Sequence, residues 1–315
     1  MVSLWYPARS PGKRRAPYMT AKESEALLKE GGITGVPLDV LSTTRTGAFT
    51  DARPAGRAHG LPLVVLSPGF TKPRATLTGL AEDLASKGYV VAAVDHTYES
   101  VATTFPDGRV ATCVACAGDH DAAFWAKVTK GRAADVSFVL DRLTRKGSPV
   151  AGLIDPSRIA MAGHSAGGAS AVEAILKDSR LKAGIDVDGL TYAPIPEPGL
   201  SRPFLFLGRE GDYSPGSRNA ANWERDWKSL TGWKRWLVVT GAVHESFTDV
   251  GLLAEQLGIK TGAEVPGARS MAITRAYVGA FLDRHLHGGK QPLLDKASKS
   301  YPEVKHCAPE TKTCA

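Results

Sequence analysis

Residues 158–170 read Arg-Ile-Ala-Met-Ala-Gly-His-Ser-Ala-Gly-Gly-Ala-Ser. Arg158 to Ala162 is an apolar run of strand length, and residues 166–178 have the spacing of a helix. Between them, Gly163-His164-Ser165-Ala166-Gly167 is a G-x-S-x-G sequence in the strand–turn–helix setting that gives it meaning. A strand running directly into a helix holds the central residue in a strained backbone conformation, so nothing larger than Gly fits at 163 and 167. The bend lifts Ser165 Oγ above the sheet, beside a helix N-terminus. A Gly-rich turn with a chance serine fits the bare pattern; the flanking strand and helix select the nucleophile reading.

Working outward, the chain repeats this alternation. Strands are expected at 2–6, 61–66, 89–94, 158–162, 181–187, 203–208 and 236–240. Helices are expected at 21–30 (capped by Thr20), 74–87, 121–145, 166–178, 218–230 and 267–286. A Gly- and Arg-rich loop runs to residue 60, and Pro106-Asp107-Gly108 marks a hairpin. Strands apolar on both faces, alternating with helices, specify an α/β fold with a mostly parallel central sheet covered on both sides. The sites of such sheets lie at the carboxyl ends of strands. At 315 residues with 43% hydrophobic content, a single domain is expected, with a C-terminal tail over about 288–315.

Composition narrows the function. Net charge is +7, but the basic residues are dispersed and accompany no nucleic-acid motif, so nucleic-acid binding is not expected. No run of about 18 apolar residues spans a bilayer. Four cysteines, Cys113, Cys116, Cys307 and Cys314, lack finger-like spacing for zinc and read as two local disulfides. Those disulfides point to a secreted protein, its tail pinned by the second pair. The strand at the very start is expected to follow a removed leader. A monomer is expected, with weak contact to a lipid surface at most.

Two further elements complete a serine-nucleophile site. Leu63-Val64-Val65-Leu66-Ser67-Pro68-Gly69-Phe70 is a strand ending in a Gly turn upstream of the elbow. In this arrangement the oxyanion hole takes one backbone N–H from that loop and one from the residue after the nucleophile, here Phe70 and Ala166. Of eight histidines, His244 follows the last predicted strand in Val239-Thr240-Gly241-Ala242-Val243-His244, at a strand's carboxyl end. The chain order Ser, acid, His leaves two acids open: Asp188, after the strand containing Ala183 to Val187, and Asp212, one strand later. Asp186 lies too deep in its strand. Tyr98 and Tyr192, just after strand ends, join Phe70 as expected substrate-cleft residues. Asp119-His120-Asp121 reads as an acidic helix N-terminus rather than a metal site.

The stretches LPLVVLSPGF, GYVVAAVDHTYES, RIAMAGHSAGGAS, LKAGIDVDGL and GAVHESFTD, within residues 61–249, together with SLWYP near the start, resemble the plasma, lipoprotein-associated type of platelet-activating-factor acetylhydrolase, and more closely its bacterial relatives in the α/β-hydrolase superfamily. The resemblance implies a triad of Ser165, Asp188 and His244, with oxyanion donors at Phe70 and Ala166. Where that family often has His-Gly, this chain has Pro68-Gly69. The run Ser67 to Thr71 instead resembles bacterial cutinases and polyester hydrolases, whose acid would fall on Asp212 in Asp212-Tyr213-Ser214-Pro215. The expected activity is hydrolysis of short-acyl esters through an acyl-enzyme; the alternative is a cutinase-like polyester hydrolase. The substrate is thus a small-molecule or polymeric ester. No metal or organic cofactor is required for such chemistry, and no long lid insertion interrupts the pattern.

Overall fold

The computed structural model describes residues 1–56, 58–148 and 150–315. Arg57, within the loop expected to reach residue 60, and Pro149 lie outside them. Nine strands form one sheet in the order β1-β3-β2-β6-β7-β8-β9-β10-β11. These are β1 (Val2–Trp5), β2 (Leu61–Ser67), β3 (Val90–Val94), β6 (Ile154–His164), β7 (Leu181–Val187), β8 (Phe204–Arg209), β9 (Lys234–Val239), β10 (Val304–Ala308) and β11 (Thr313–Cys314). Pairing is parallel from β3 through β9. The antiparallel strands β1 and β10 flank that parallel block. The expected hairpin is β4 (Ala102–Thr104) with β5 (Val110–Thr112).

Strand residues alternate strictly between two cores, as a period-two side chain pattern buried on both faces requires. Leu63, Val65, Val90, Ala92, Ile159 and Met161 pack on one face. That face is covered by α3 (Ala122–Thr144), α4 (Ala166–Lys177) and α6 (Ala220–Ser229), through Val136, Leu140, Val172, Ile175 and Trp223. Val64, Leu66, Val91, Ala93, Ala160 and Ala162 pack on the other. There the covering helices are α2 (Thr78–Ser86) and α8 (Gly267–Leu282), through Leu80, Leu84, Ile273, Tyr277 and Phe281. At about 1.5–3 kcal/mol per fully buried large apolar side chain, these two layers hold the strand ends rigid enough to aim a site.

Thr20 caps α1 (Ala21–Glu30) with a reciprocal box: its hydroxyl accepts from Glu23 N, and Glu23 accepts from Thr20 N. Cys113 is bonded to Cys116, and Cys307 to Cys314. The second pair joins β10 to β11, and β10 pairs with β9. The end of the tail, β10 and β11, thus extends one edge of the sheet. The short helices α5 (Glu210–Tyr213) and α7 (Asp249–Gln256) were not expected from the sequence. No described helix is long and apolar enough to cross a membrane.

Candidate active site

Strands β2, β6, β7, β8 and β9 end side by side, and every expected site residue except Tyr98 follows one of their ends. Ser165 stands between β6 and α4 with φ 56° and ψ −123°, outside the regions a serine normally adopts. The close approach this bend requires is visible at its glycines. A Cβ on Gly163 would lie 2.2 Å from the Gly167 carbonyl carbon, and one on Gly167 would lie 2.0 Å from the Ser67 carbonyl oxygen. The elbow is thus pressed against the end of β2. Ser165 is partly exposed, and its hydroxyl has no hydrogen-bond partner among the described residues.

Asp188 follows β7 and is itself in a left-handed conformation, φ 56°. Its side chain is fully buried, accepts two hydrogen bonds and faces one guanidinium. His244 Nδ1 lies 2.5 Å from Oδ2, the Arg209 backbone N–H donates to Oδ1 at 2.8 Å, and the Arg209 guanidinium stands 3.5 Å from Oδ2. Because a carboxylate only accepts, the His244 ring donates from Nδ1 to Asp188, and its Nε2 has no hydrogen-bond partner among the described residues. Asp212 makes no hydrogen bond or ion pair with His244 among the described residues. It pairs with Arg209 and is about half exposed.

His164, next to the nucleophile, holds the loop that carries His244. Its Nε2 donates to the His244 carbonyl at 2.8 Å, and the two rings lie 4.4 Å apart. Burial, then the neighbouring His244, pushes His164 well below the usual imidazole range, so its ring is neutral. Its Nδ1 is a buried acceptor without a partner, facing Gly69. His164, Asp188 and His244 are close enough to ligate an ion, their atoms lying within 4.8 Å of one another. However, Asp188 and His244 are engaged with each other, and His164 with a carbonyl.

Asp186, one pleat below, turns away beneath α4. It accepts from Gly189 N at 2.9 Å, and burial raises its carboxyl well above the usual range. The Phe70 and Ala166 backbone N–H groups have no hydrogen-bond partner among the described residues. A Cβ on Gly69 would lie 3.4 Å from Ser165 Cβ, so the loop carrying Phe70 crosses directly over the nucleophile.

An aromatic wall borders this point. Phe70 packs edge-on against Trp125 at 5.1 Å, Phe124 at 5.6 Å and His120 at 5.4 Å; Trp125 stacks on Tyr192 at 5.4 Å and 9°. Burial, then the Asp186 charge, pushes the Tyr192 hydroxyl up to about 12. Tyr192 therefore lies in the cluster. Tyr98 is half exposed and contacts none of its rings among the described residues. Trp125, Phe124 and His120 were not anticipated as cleft residues.

The family model of "Platelet-activating factor acetylhydrolase, isoform II" matches residues 39–113 and 144–292. A probable 1-alkyl-2-acetylglycerophosphocholine esterase of Arthroderma benhamiae is 29% identical over 91% of this chain and 78% of its own length. A bis(hydroxyethyl) terephthalate hydrolase of Streptomyces coelicolor is 30% identical over 63% of this chain and 55% of its own. Among solved structures, a ferulic acid esterase from Streptomyces cinnamoneus superposes with TM-score 0.88 at 45% identity, covering 98% of this chain and 88% of that one. The chain is an α/β-hydrolase esterase and belongs to the platelet-activating factor acetylhydrolase, isoform II, family.

Proposed function

We propose that this chain is a secreted serine carboxylesterase that hydrolyses short-acyl esters through an acyl-enzyme. The observation that carries the reading is the 2.5 Å contact between His244 Nδ1 and Asp188 beside a serine held in a strained elbow. His244 Nε2 takes the proton of Ser165 as Oγ attacks the ester carbonyl. Asp188 keeps the imidazole in the tautomer that can do this and stabilises the imidazolium. The Phe70 and Ala166 amides receive the oxyanion; one such donor is typically worth about 10²–10³ in rate. His244 then protonates the departing alcohol, activates a water, and the acid is released. The Ser165 hydroxyl has no hydrogen-bond partner among the described residues, and catalytic hydrogen bonds of this kind commonly tighten in the substrate complex.

Two disulfides support secretion, since such bonds persist in oxidising compartments. The net charge of +7 supports weak attraction to anionic lipid or polymer surfaces.

A second reading, an esterase of aromatic substrates including polyesters, is favoured by the ring wall of Phe70, Trp125 and Tyr192. Flat aromatic groups stack on such a wall. The printed activities of the terephthalate-ester and ferulic acid relatives fit it.

One panel tests both readings: kcat/KM on p-nitrophenyl acetate, longer p-nitrophenyl esters, an acetylated phospholipid, a hydroxycinnamate ester and a polyester film. Ser165→Ala serves as the blank. Preference for the acetyl substrates supports the first reading, and preference for the aryl substrates the second. Turnover that survives Ser165→Ala overturns both.

A further inference from the structure

Below the loop that carries Phe70 lies a buried polar network that the ester chemistry leaves unused. Arg132 of α3 is 1% exposed. Its NH1 donates to the Pro68 carbonyl at 2.5 Å and to Ser67 Oγ at 3.3 Å, and its Nε donates to Glu99 at 2.7 Å. His96, equally buried, sits between Ser67 Oγ, 2.9 Å from Nε2, and Asp135 on the next turn of α3, 2.7 Å from Nδ1.

Ser67, His96 and Asp135 repeat the residue types of the catalytic trio. Ser67 is fully buried, however, so no substrate reaches it. Burial, then the Arg132 charge, lowers the His96 pKa and leaves the ring neutral. The proton order then follows: Asp135 can only accept, so His96 Nδ1 donates to it, and Nε2 accepts from the Ser67 hydroxyl. That hydroxyl's lone pair in turn accepts from Arg132. His96 Nδ1, the Ser67 hydroxyl and Arg132 Nε and NH1 thus each have an acceptor.

A buried guanidinium is expensive unless fully paired, and an apolar residue would fill α3 at this point with less penalty. What the arrangement fixes is the loop. Ser67 is held by its side chain and Pro68 by its carbonyl, while Thr71 N donates to the Glu99 carbonyl at 3.0 Å. Gly69 and Phe70 bridge these anchors. The carbonyls of Ser67 and Pro68 are also the atoms that a Cβ on Gly167 would strike, at 2.0 and 2.7 Å. Any shift of the anchored carbonyls is therefore passed straight to the elbow.

We propose that Arg132 and His96 are positioning residues that set the Phe70 amide at the distance the oxyanion requires. This rests on the reading of Ser165 as nucleophile and of Phe70 N as oxyanion donor. The test uses the full chain, with active serines counted by fluorophosphonate titration to its end point, so that kcat is expressed per reactive Ser165. For Arg132→Met, kcat on p-nitrophenyl acetate should fall by about 10–100-fold, part of the loss seen when an oxyanion donor is removed outright. KM should change by less than about threefold, and a trifluoromethyl ketone, whose adduct places an oxyanion in the hole, should lose affinity by the factor lost in kcat. Arg132→Lys, which can reach the Pro68 carbonyl but not fork to Glu99, should recover part of the rate. If Arg132→Met does not fold, Ser67→Ala removes the hydroxyl shared by both residues and should lower kcat about 2–10-fold.

A rate per titrated serine equal to wild type in these variants overturns the proposal. So does a loss that appears wholly as fewer titratable serines. Wild-type activity in Ser165→Ala would instead refute the underlying assignment, so the two failures are distinguishable.

Discussion

Asp188 and Arg209 meet twice: the Arg209 backbone N–H donates to one Asp188 oxygen at 2.8 Å, and its guanidinium stands 3.5 Å from the other. The same guanidinium also pairs with Asp212. The residue between the two candidate acids thus consolidates one against His244 and ties the other to itself. Asp188→Asn should lower kcat on p-nitrophenyl acetate by about 10⁴, because an amide favours the wrong tautomer of the imidazole. Asp212→Asn should stay within about threefold of wild type, since it removes only a half-exposed ion pair. Steady-state kinetics on the two variants check both statements; a reversal of the two effects would move the acid to Asp212.

The elbow leaves no room for a methyl group. Gly163→Ala would drive its Cβ to 2.2 Å from the Gly167 carbonyl carbon, a backbone atom that cannot rotate away. Overpacking of a rigid site destabilises by about 1–3 kcal/mol or more. Thermal unfolding should therefore show a lower midpoint than wild type, with activity lost at temperatures where the fold persists.

Asp249 gives a pH dependence of stability. It is buried, accepts from Gly79 N at 2.9 Å, and faces Tyr18, Arg275 and Glu82; burial pushes its carboxyl up to about 7. Its folded pKa lies above the ordinary carboxylate value near 3.8. The unfolded chain therefore releases this proton first, and the contribution to stability is full below about pH 4 and lost as pH rises through 7. Asp249→Asn should remove this component. Denaturant midpoints at pH 4.5 and 8 should show wild type losing ground to the variant at pH 8; parallel pH curves would contradict the assignment.

The ring wall predicts selectivity. Trp125→Ala removes the plane stacked on Tyr192 and the edge contact with Phe70. If aromatic groups seat here, KM for a hydroxycinnamate ester should rise about 2–10-fold, the usual worth of an aromatic pair. KM for p-nitrophenyl acetate should change less, measured side by side.

How much of this was legible in the sequence follows from what each residue must do alone. The parallel strands showed because they are apolar on both faces, and the elbow because only glycine tolerates the contacts at 163 and 167. Ser165, Asp188 and His244 lie in three separate stretches, and the structure gathers them at adjacent strand ends. Strand position alone left Asp188 and Asp212 open, because both follow strand ends; the family resemblance pointed to Asp188, while Arg209, which contacts both carboxylates, looks like any surface arginine in the sequence. Phe124 could not be told from a core residue by periodicity. It lies one turn before the buried Val128 on the same helical face, yet its ring packs edge-on against Phe70. β10 and β11 are short edge strands with mixed polar and apolar residues, which periodicity does not mark.

Nucleophilic catalysis by Ser165 requires a covalent acyl-enzyme. The protein would be mixed rapidly with p-nitrophenyl acetate, quenched in acid within the burst phase, and digested for mass spectrometry. The expected result is one acetyl group on the peptide containing Ser165, formed at the rate of the burst and absent from Ser165→Ala. An ester turned over at full rate with no acyl group ever found on Ser165 would contradict it.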